Sequence, residues 1–231
     1  MTLAYASGLD EAPLKHNVLS YTCVGIFAAP LPGIPRFSPQ FFAKLFEDEY
    51  RTTVGIADGG LVAQLMGKPP QPLIHFGPAK FQVRHTSIPG AARLFGDLMQ
   101  EAYTLTSQQM PLISLLGLNT EHEWIKPAFR PAKRWLADNY VSKGLKATTA
   151  GAVAEAVNLQ FQLLLKQPDR NYNIQLQPRE DVEDAVFAAI NDHREWNKPV
   201  PTRDEIAKLL EESDREINDR VTPIILGGVA E

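Results

Sequence analysis

Between Leu19 and Phe27 the chain alternates: Leu19, Tyr21, Cys23, Gly25 and Phe27 fall on one side, Ser20, Thr22, Val24 and Ile26 on the other. A period of two with apolar residues on both sides predicts a strand that is covered on both faces near its end. Pro30, Pro32 and Pro35 then interrupt regular pairing, because proline has no N–H to give to a ladder. Ser38 followed by Pro39 supplies an N-cap and a first-turn proline. Phe41, Phe42, Leu45 and Phe46 share one side of the helix predicted from about Pro39 to Tyr50.

The next pattern is a pair of ribbons. Asp58-Gly59-Gly60 between two apolar runs predicts one hairpin, and PLIHFG and KFQVRH around Gly77-Pro78-Ala79 predict another. A two-residue turn at Pro78-Ala79 sets His75 against Gln82 and away from His85, whereas a three-residue turn puts both histidines on one face. Ser87 and Pro89 open a helix packed through Leu94, Leu98 and Met99, and PLISLLGLNTEHEW returns as a strand. Residues 126–139 are proline-interrupted and helical in part, and the small-residue run 142–152 reads as a linker.

In the second half Val157, Leu159, Phe161, Leu163 and Leu165 alternate with Asn158, Gln160 and Gln162. Beyond the turn KQPDR, Tyr172, Ile174 and Leu176 alternate with Asn173, Gln175 and Gln177, so an antiparallel hairpin with an amide-rich face is expected. Two helices are expected to follow. One runs from Asp181 to about Trp196 with acids at its start, and the other opens on Thr202 and Glu205 at capping-box spacing. The apolar tail from Pro223 to Val229 reads as a docked strand or a partner-binding segment. No internal repeat shows as residue identity, although both halves set a ribbon beside helices. The order predicts an α+β fold of antiparallel or mixed sheets, helices packed on one face, with ferredoxin-like split βαβ elements. Residues 1–147 form the first layer and 148–231 a hairpin plus two helices, packed together as one compact unit.

Composition removes several classes. The 231 residues, 44% hydrophobic and 22% charged, suffice for one sizeable core or two small ones. No apolar run reaches membrane-spanning length and the start reads as no secretory signal, so a cytoplasmic protein with no membrane partner is expected. The single cysteine, Cys23, makes no internal disulfide, and with five scattered histidines it offers no tetrahedral metal set; no cofactor is expected. The net charge of −4 hides a polarity. From Lys126 to Lys146 six bases face the single acid Asp138, while from Arg179 to Glu231 fourteen acids face seven bases.

The segments VLSYTCVGIF, FSPQFFAKLFEDEY, LIHFGPAKFQV, the helix after it and ISLLGLNTEHEW together resemble a sporadically distributed family of uncharacterised prokaryotic proteins of about this length. The likeness covers Val18 to Trp124, with an echo in LLEESDREINDRVTPI; Leu115-Leu116-Gly117-Leu118-Asn119 lacks the arginines usual on that strand. It implies an α+β fold and the scattered distribution of accessory or defence genes, and it brings no catalytic residues with it.

Candidate chemistry is sparse. Glu121-His122-Glu123 has the composition of a metal or acid-base cluster, but on a strand His122 points away from both carboxylates. Asp48, Glu49 and Asp58 have no partner at a defining spacing, and Cys23 lies in an apolar strand where a thiol resists ionisation. No Gly-x-Ser-x-Gly elbow or phosphate-binding loop is present. Lys126, Arg130, Lys133 and Arg134 fall at i, i+4, i+7 and i+8 beside Phe129 and Trp135, a stripe suited to phosphate except that Pro127 and Pro131 limit the helix. The reading favours a non-catalytic accessory, assembly or sensor protein in a mobile or defence-type cassette, acting on a protein partner or by self-association. Two alternatives stay open. One is a metal-dependent or phosphodiester-acting enzyme using Arg84, His85, His122 and nearby carboxylates; the other is nucleic-acid binding through Lys126 to Lys146.

Overall fold

The structure, a computed structural model, describes residues 12–48, 51–67, 70–106, 111–140, 159–164, 170–179 and 181–226. In chain order the strands and helices are β1 (Lys15–Phe27), α1 (Pro39–Phe46), β2 (Thr52–Ala57), β3 (Gly60–Leu65), β4 (Leu73–Phe76), β5 (Lys80–His85) and α2 (Ile88–Thr106). They continue as β6 (Ile113–Ile125), a 3₁₀ turn (Pro127–Phe129), α3 (Ala132–Tyr140), β7 (Leu159–Leu164), β8 (Arg170–Pro178) and β9 (Ala185–Lys198). The chain then forms α4 (Arg203–Glu216), a π-helical turn (Ile217–Val221) and α5 (Thr222–Leu226).

All nine strands make one sheet in the order β2-β3-β4-β5-β1-β6-β9-β8-β7, with every neighbouring pair antiparallel. The fold is therefore α+β. Outward from the β1/β6 seam, one side runs β1-β5-β4-β3 and the other β6-β9-β8-β7, and each half follows a strand, helix, strands, helix order along the chain. β2 extends the first half and has no counterpart among the described residues. A two-fold repeat is thus present in the topology where residue identity shows none. The strands joined through α1, β1 and β2, have three others between them, wider than the single strand that separates the two in a ferredoxin-like split unit.

The core lies on one face of this sheet. Cys23, Phe81, Val83, Leu116 and Leu118 pack with Phe42 of α1, Leu94, Phe95 and Leu98 of α2, and Ile206 and Leu210 of α4. Trp124, Tyr172, Ile174, Leu176, Val186 and Ile190 pack with Leu136 of α3 and Ile225 and Leu226 of α5. One glycine makes this packing possible: a Cβ at Gly25 would lie 2.2 Å from Phe81 Cζ, so the Phe81 ring occupies the space above β1. The β2/β3 turn is the other place where glycine matters, with Asp58 and Gly59 at φ 50° and 72°, the left-handed pair that a two-residue hairpin turn needs.

Most expected elements are present, with three corrections. Residues 185–198 form strand β9 and not a helix from Asp181 to Trp196: Val186, Ala188, Ile190 and Asp192 are buried at a period of two, and β9 is bonded to β6 on one side and β8 on the other. Hydrogen bonding to two strands outweighs the local helix preference of alanine and of the preceding acids. α1 stops at Phe46, short of Tyr50, because Glu47 turns left-handed at φ 59° and returns its N–H to the Ala43 and Lys44 carbonyls. Of the tail from Pro223 to Val229, the part up to Leu226 is helical where a strand was one expectation, with Ile225 and Leu226 buried in the core; residues 227–229 lie outside the described residues. The predicted linker, residues 142–152, lies outside the described residues, as do Val157, Asn158 and Leu165.

Candidate functional site on the open sheet face

Because the core takes one face, every second residue of the central strands is left on the other. Register aligns Arg84 of β5 with Thr22 of β1, Thr22 with Asn119 of β6, Asn119 with Asn191 of β9, and Asn191 with Asn173 of β8. One polar rung therefore crosses five strands. Next to it Ser20, Glu121, Ala189 and Gln175 align in the same way. Between these rungs runs a groove of about 590 Å³, lined among others by Gln82, Arg84, Asn119, Glu121, Asn173 and Asn191.

Three features set its chemistry. Arg84 Nε donates to the Gln71 carbonyl at 3.1 Å, which holds the guanidinium in place and leaves its two terminal nitrogens without a partner among the described residues. The side-chain oxygens of Asn119 and Asn191 are buried and accept no hydrogen bond from the described residues. Both lean over Gly117, where a Cβ would lie 3.3 Å and 3.2 Å from them. Glu121 accepts a hydrogen bond from Ser20 Oγ at 2.7 Å. With one base and one acid among its lining residues, the groove offers mostly uncharged donors and acceptors.

The sheet beneath Asn173 and Asn191 is held from the core side by an ion network. Asp192, fully buried, accepts from Arg170 at 2.7 and 2.8 Å and from Arg194 at 2.8 Å. Arg170 also reaches Glu212 and Glu216 of α4, at 3.1 and 2.7 Å. Burial pushes the Asp192 carboxyl upward, but the hydrogen bonds from Arg170 and Arg194 outweigh it and hold the group below its ordinary value. Removing one member of such a buried set costs about 3–5 kcal/mol, because it strands a charge out of water.

The histidines expected as candidates do not gather. His122 faces the core, opposite Glu121 and Glu123, as strand alternation requires. Its ring forms a three-ring group with His16 and Trp124, centroids 5.1 and 5.4 Å away and themselves 5.3 Å apart, and bonds His16 Nε2 at 2.9 Å and Thr120 Oγ1 at 2.8 Å. Burial and the neighbouring His16 lower its pKa to about 3. His85 lies over the first turn of α2, where its Nδ1 accepts the Ser87 N–H at 3.1 Å; burial and Arg93 lower its pKa. It pairs with Tyr21, which pairs with Thr120, so His122 lies two strands and two residues away. His75 opposes Gln82, the outcome of the two-residue turn. Among the described residues no three His, Cys, Asp or Glu side chains are grouped to hold a metal ion. Cys23 is buried, and burial pushes its thiol up to about 12.

The basic stripe is broken in two. Pro127–Phe129 forms the 3₁₀ turn, the Arg130-Pro131 bond is cis, and α3 begins only at Ala132. Arg130 is paired with Glu183 at 2.8 Å and Arg134 with Asp138 at 3.6 Å. Lys133 is exposed on α3 and Lys126 precedes the 3₁₀ turn; Lys143 and Lys146 lie outside the described residues.

Of the sequence candidates Arg84 and Glu121 line the groove, joined by Asn173 and Gln175 of the amide-rich face. Sequence reasoning missed Thr22, Gln82, Asn119 and Asn191. The signal for Asn119 was its place between Leu118 and Thr120 on a strand; Asn191 was hidden by the helix assigned to β9. No protein-family model matches the chain and no curated protein matches it significantly. Among the described residues no helix is long and apolar enough to cross a membrane.

Proposed function

We propose that the protein is a non-catalytic accessory or assembly protein that binds a protein partner on the open face of its sheet. The observation that carries this reading is the polar rung Arg84-Thr22-Asn119-Asn191-Asn173 across five strands of an open sheet face. Such a row of mostly uncharged side-chain donors and acceptors suits the amides of an extended polypeptide. The groove's lining has a single base and no aromatic ring. A phosphate chain needs several bases, and stacked nucleobases need rings, so an uncharged polar ligand such as a polypeptide suits it better. The resemblance to a sporadic prokaryotic family supports a place in a mobile or defence-type cassette.

The test is native mass spectrometry or light scattering of the purified protein with the products of its neighbouring genes. A complex is expected that is lost in Asn173→Lys/Gln175→Lys, a variant whose melting temperature stays near that of the parent. A persistent monomer with every neighbour, or a complex indifferent to these charges, overturns the proposal.

A further inference from the structure

The free edge of β2 is complementary to itself. We propose that two copies of the chain join there as a two-fold dimer, β2 antiparallel to β2, through a surface separate from the open face. β2 ends the sheet, bonded to β3 alone. The Arg51 carbonyl accepts the Met66 N–H, while the Leu65 N–H turns the other way, to the Pro72 carbonyl. The odd-numbered residues of β2 therefore bond to β3, and by alternation Thr52, Val54 and Ile56 hold their N–H and C=O groups out from the edge. Exposed edges are usually blunted by a charge, a proline or a bulge. Thr52–Ala57 has no charge and no proline, and its register with β3 runs without a shift.

The side chains of this edge are uncovered too. Val54 and Ile56 lie opposite the core residues Ala63 and Leu61, which puts them on the helix side of the sheet. Yet they are 37% and 76% exposed. Between β2 and α1 a groove of about 250 Å³ is left, lined by Pro39, Gln40, Ala43, Thr52 and Val54.

A two-fold axis at Gly55 answers each of these features. It sets Val54 of each copy opposite Ile56 of the other, so that about four backbone hydrogen bonds form between the outward groups. Ile56 of the second copy then covers Val54 at the mouth of the groove, and the reverse holds across the axis. The two Gly55 residues meet as a non-hydrogen-bonded pair, the closer kind, with no side chain in the way. At both ends the exposed Asp58, which has no ion-pair partner among the described residues, comes beside the exposed Arg51 of the other copy. A parallel pair would set Asp58 beside Asp58. Any other strand seated here would need a neutral apolar centre and the same two charges in reversed order, which β2 itself supplies. Closed two-fold pairs of this kind use one surface twice. With six residues a side, against about 20–30 in a standard interface, the dimer is a weak one with a micromolar dissociation constant.

Sedimentation equilibrium of the full chain across the micromolar range tests this. A monomer–dimer equilibrium is expected, weakened roughly tenfold or more by Ile56→Lys, which buries a charge in the joint. Val54→Pro should act alike, because the N–H it removes points away from β3. Both variants should keep a melting temperature near that of the parent. Gly55→Cys, whose Cβ has open space within one chain, should form a disulfide-linked dimer with oxidised glutathione. Ala57→Cys should not, since its counterpart in this register is Thr53, and Cys23 is buried away from the exchange. A monomer at every concentration overturns the proposal, as does association beyond a dimer, the mark of open head-to-tail pairing. A dimer indifferent to Ile56→Lys, or equal cross-linking by Gly55→Cys and Ala57→Cys, overturns it even if Val54→Pro fails to fold.

Discussion

Gly25 shows how much one missing methyl group decides. The Phe81 ring lies where its Cβ would stand, so Gly25→Ala forces a buried aromatic ring aside. Overpacking of this kind costs about 1–3 kcal/mol, which a urea denaturation series will read as a lower midpoint. Adding Phe81→Leu should recover part of the loss; no recovery would mean that the ring is not what the new methyl meets. His122 makes a second prediction at this scale. Its folded pKa, lowered to about 3 from 6.5 by burial and by His16, means that the unfolded chain takes up a proton which the folded one refuses. Its stabilising effect is therefore full above 6.5 and fades as the pH falls toward 3, at up to about 1.4 kcal/mol per pH unit. Urea midpoints measured from neutral pH downward should fall more steeply in the parent than in His122→Gln, and parallel curves would contradict the assignment.

At the scale of elements, β9 and α4 are instructive opposites. α4 declares itself locally: Thr202 accepts the Glu205 N–H while the Glu205 carboxylate takes the Thr202 N–H at 2.7 Å, both halves of a capping box. β9 declares itself only through its neighbours, since AVFAAINDHREW has alanines and flanking acids that suit a helix equally well. Its position between β6 and β8 makes hydrogen exchange the decisive measurement. The amides of residues 186–194 should be among the slowest in the molecule, opening only with global unfolding. Fast exchange there would be incompatible with an interior strand. The hairpin of β7 and β8 was legible because its alternation is strict over both strands, and the limit that Pro127 and Pro131 set on the stripe at 126–134 was legible too, since the helix starts only at Ala132.

For the whole molecule the β1/β6 seam is the main joint. β6 belongs to the second half by topology, pairs with β1 over nearly its full length, and carries Leu116 and Leu118 into one cluster and Trp124 into the other. Two clusters that share a strand should not unfold separately. Tryptophan fluorescence, from Trp124 and Trp135 beside the second cluster and Trp196 beside the first, should lose its folded signal in one urea transition coincident with far-UV circular dichroism. Two resolved transitions would show that the halves are energetically independent. The same seam sets Thr22 beside Asn119 on the open face, so the candidate site exists only when both halves are assembled.

Alternation, caps and turn residues act within a few positions of one another, and so the sequence by itself determined the α+β class, β1, the two ribbons, α2, β6, the β7/β8 hairpin and the capping box of α4. It also separated His122 from Glu121 and Glu123, because a strand's side chains alternate whatever surrounds it. Strand order and face are different in kind. They depend on which distant segments exchange hydrogen bonds, and only the tertiary structure decided that β9 is a strand, that the two halves repeat one topology, and that Arg84, Asn119, Asn191 and Asn173, scattered over more than half the chain, stand on a single rung.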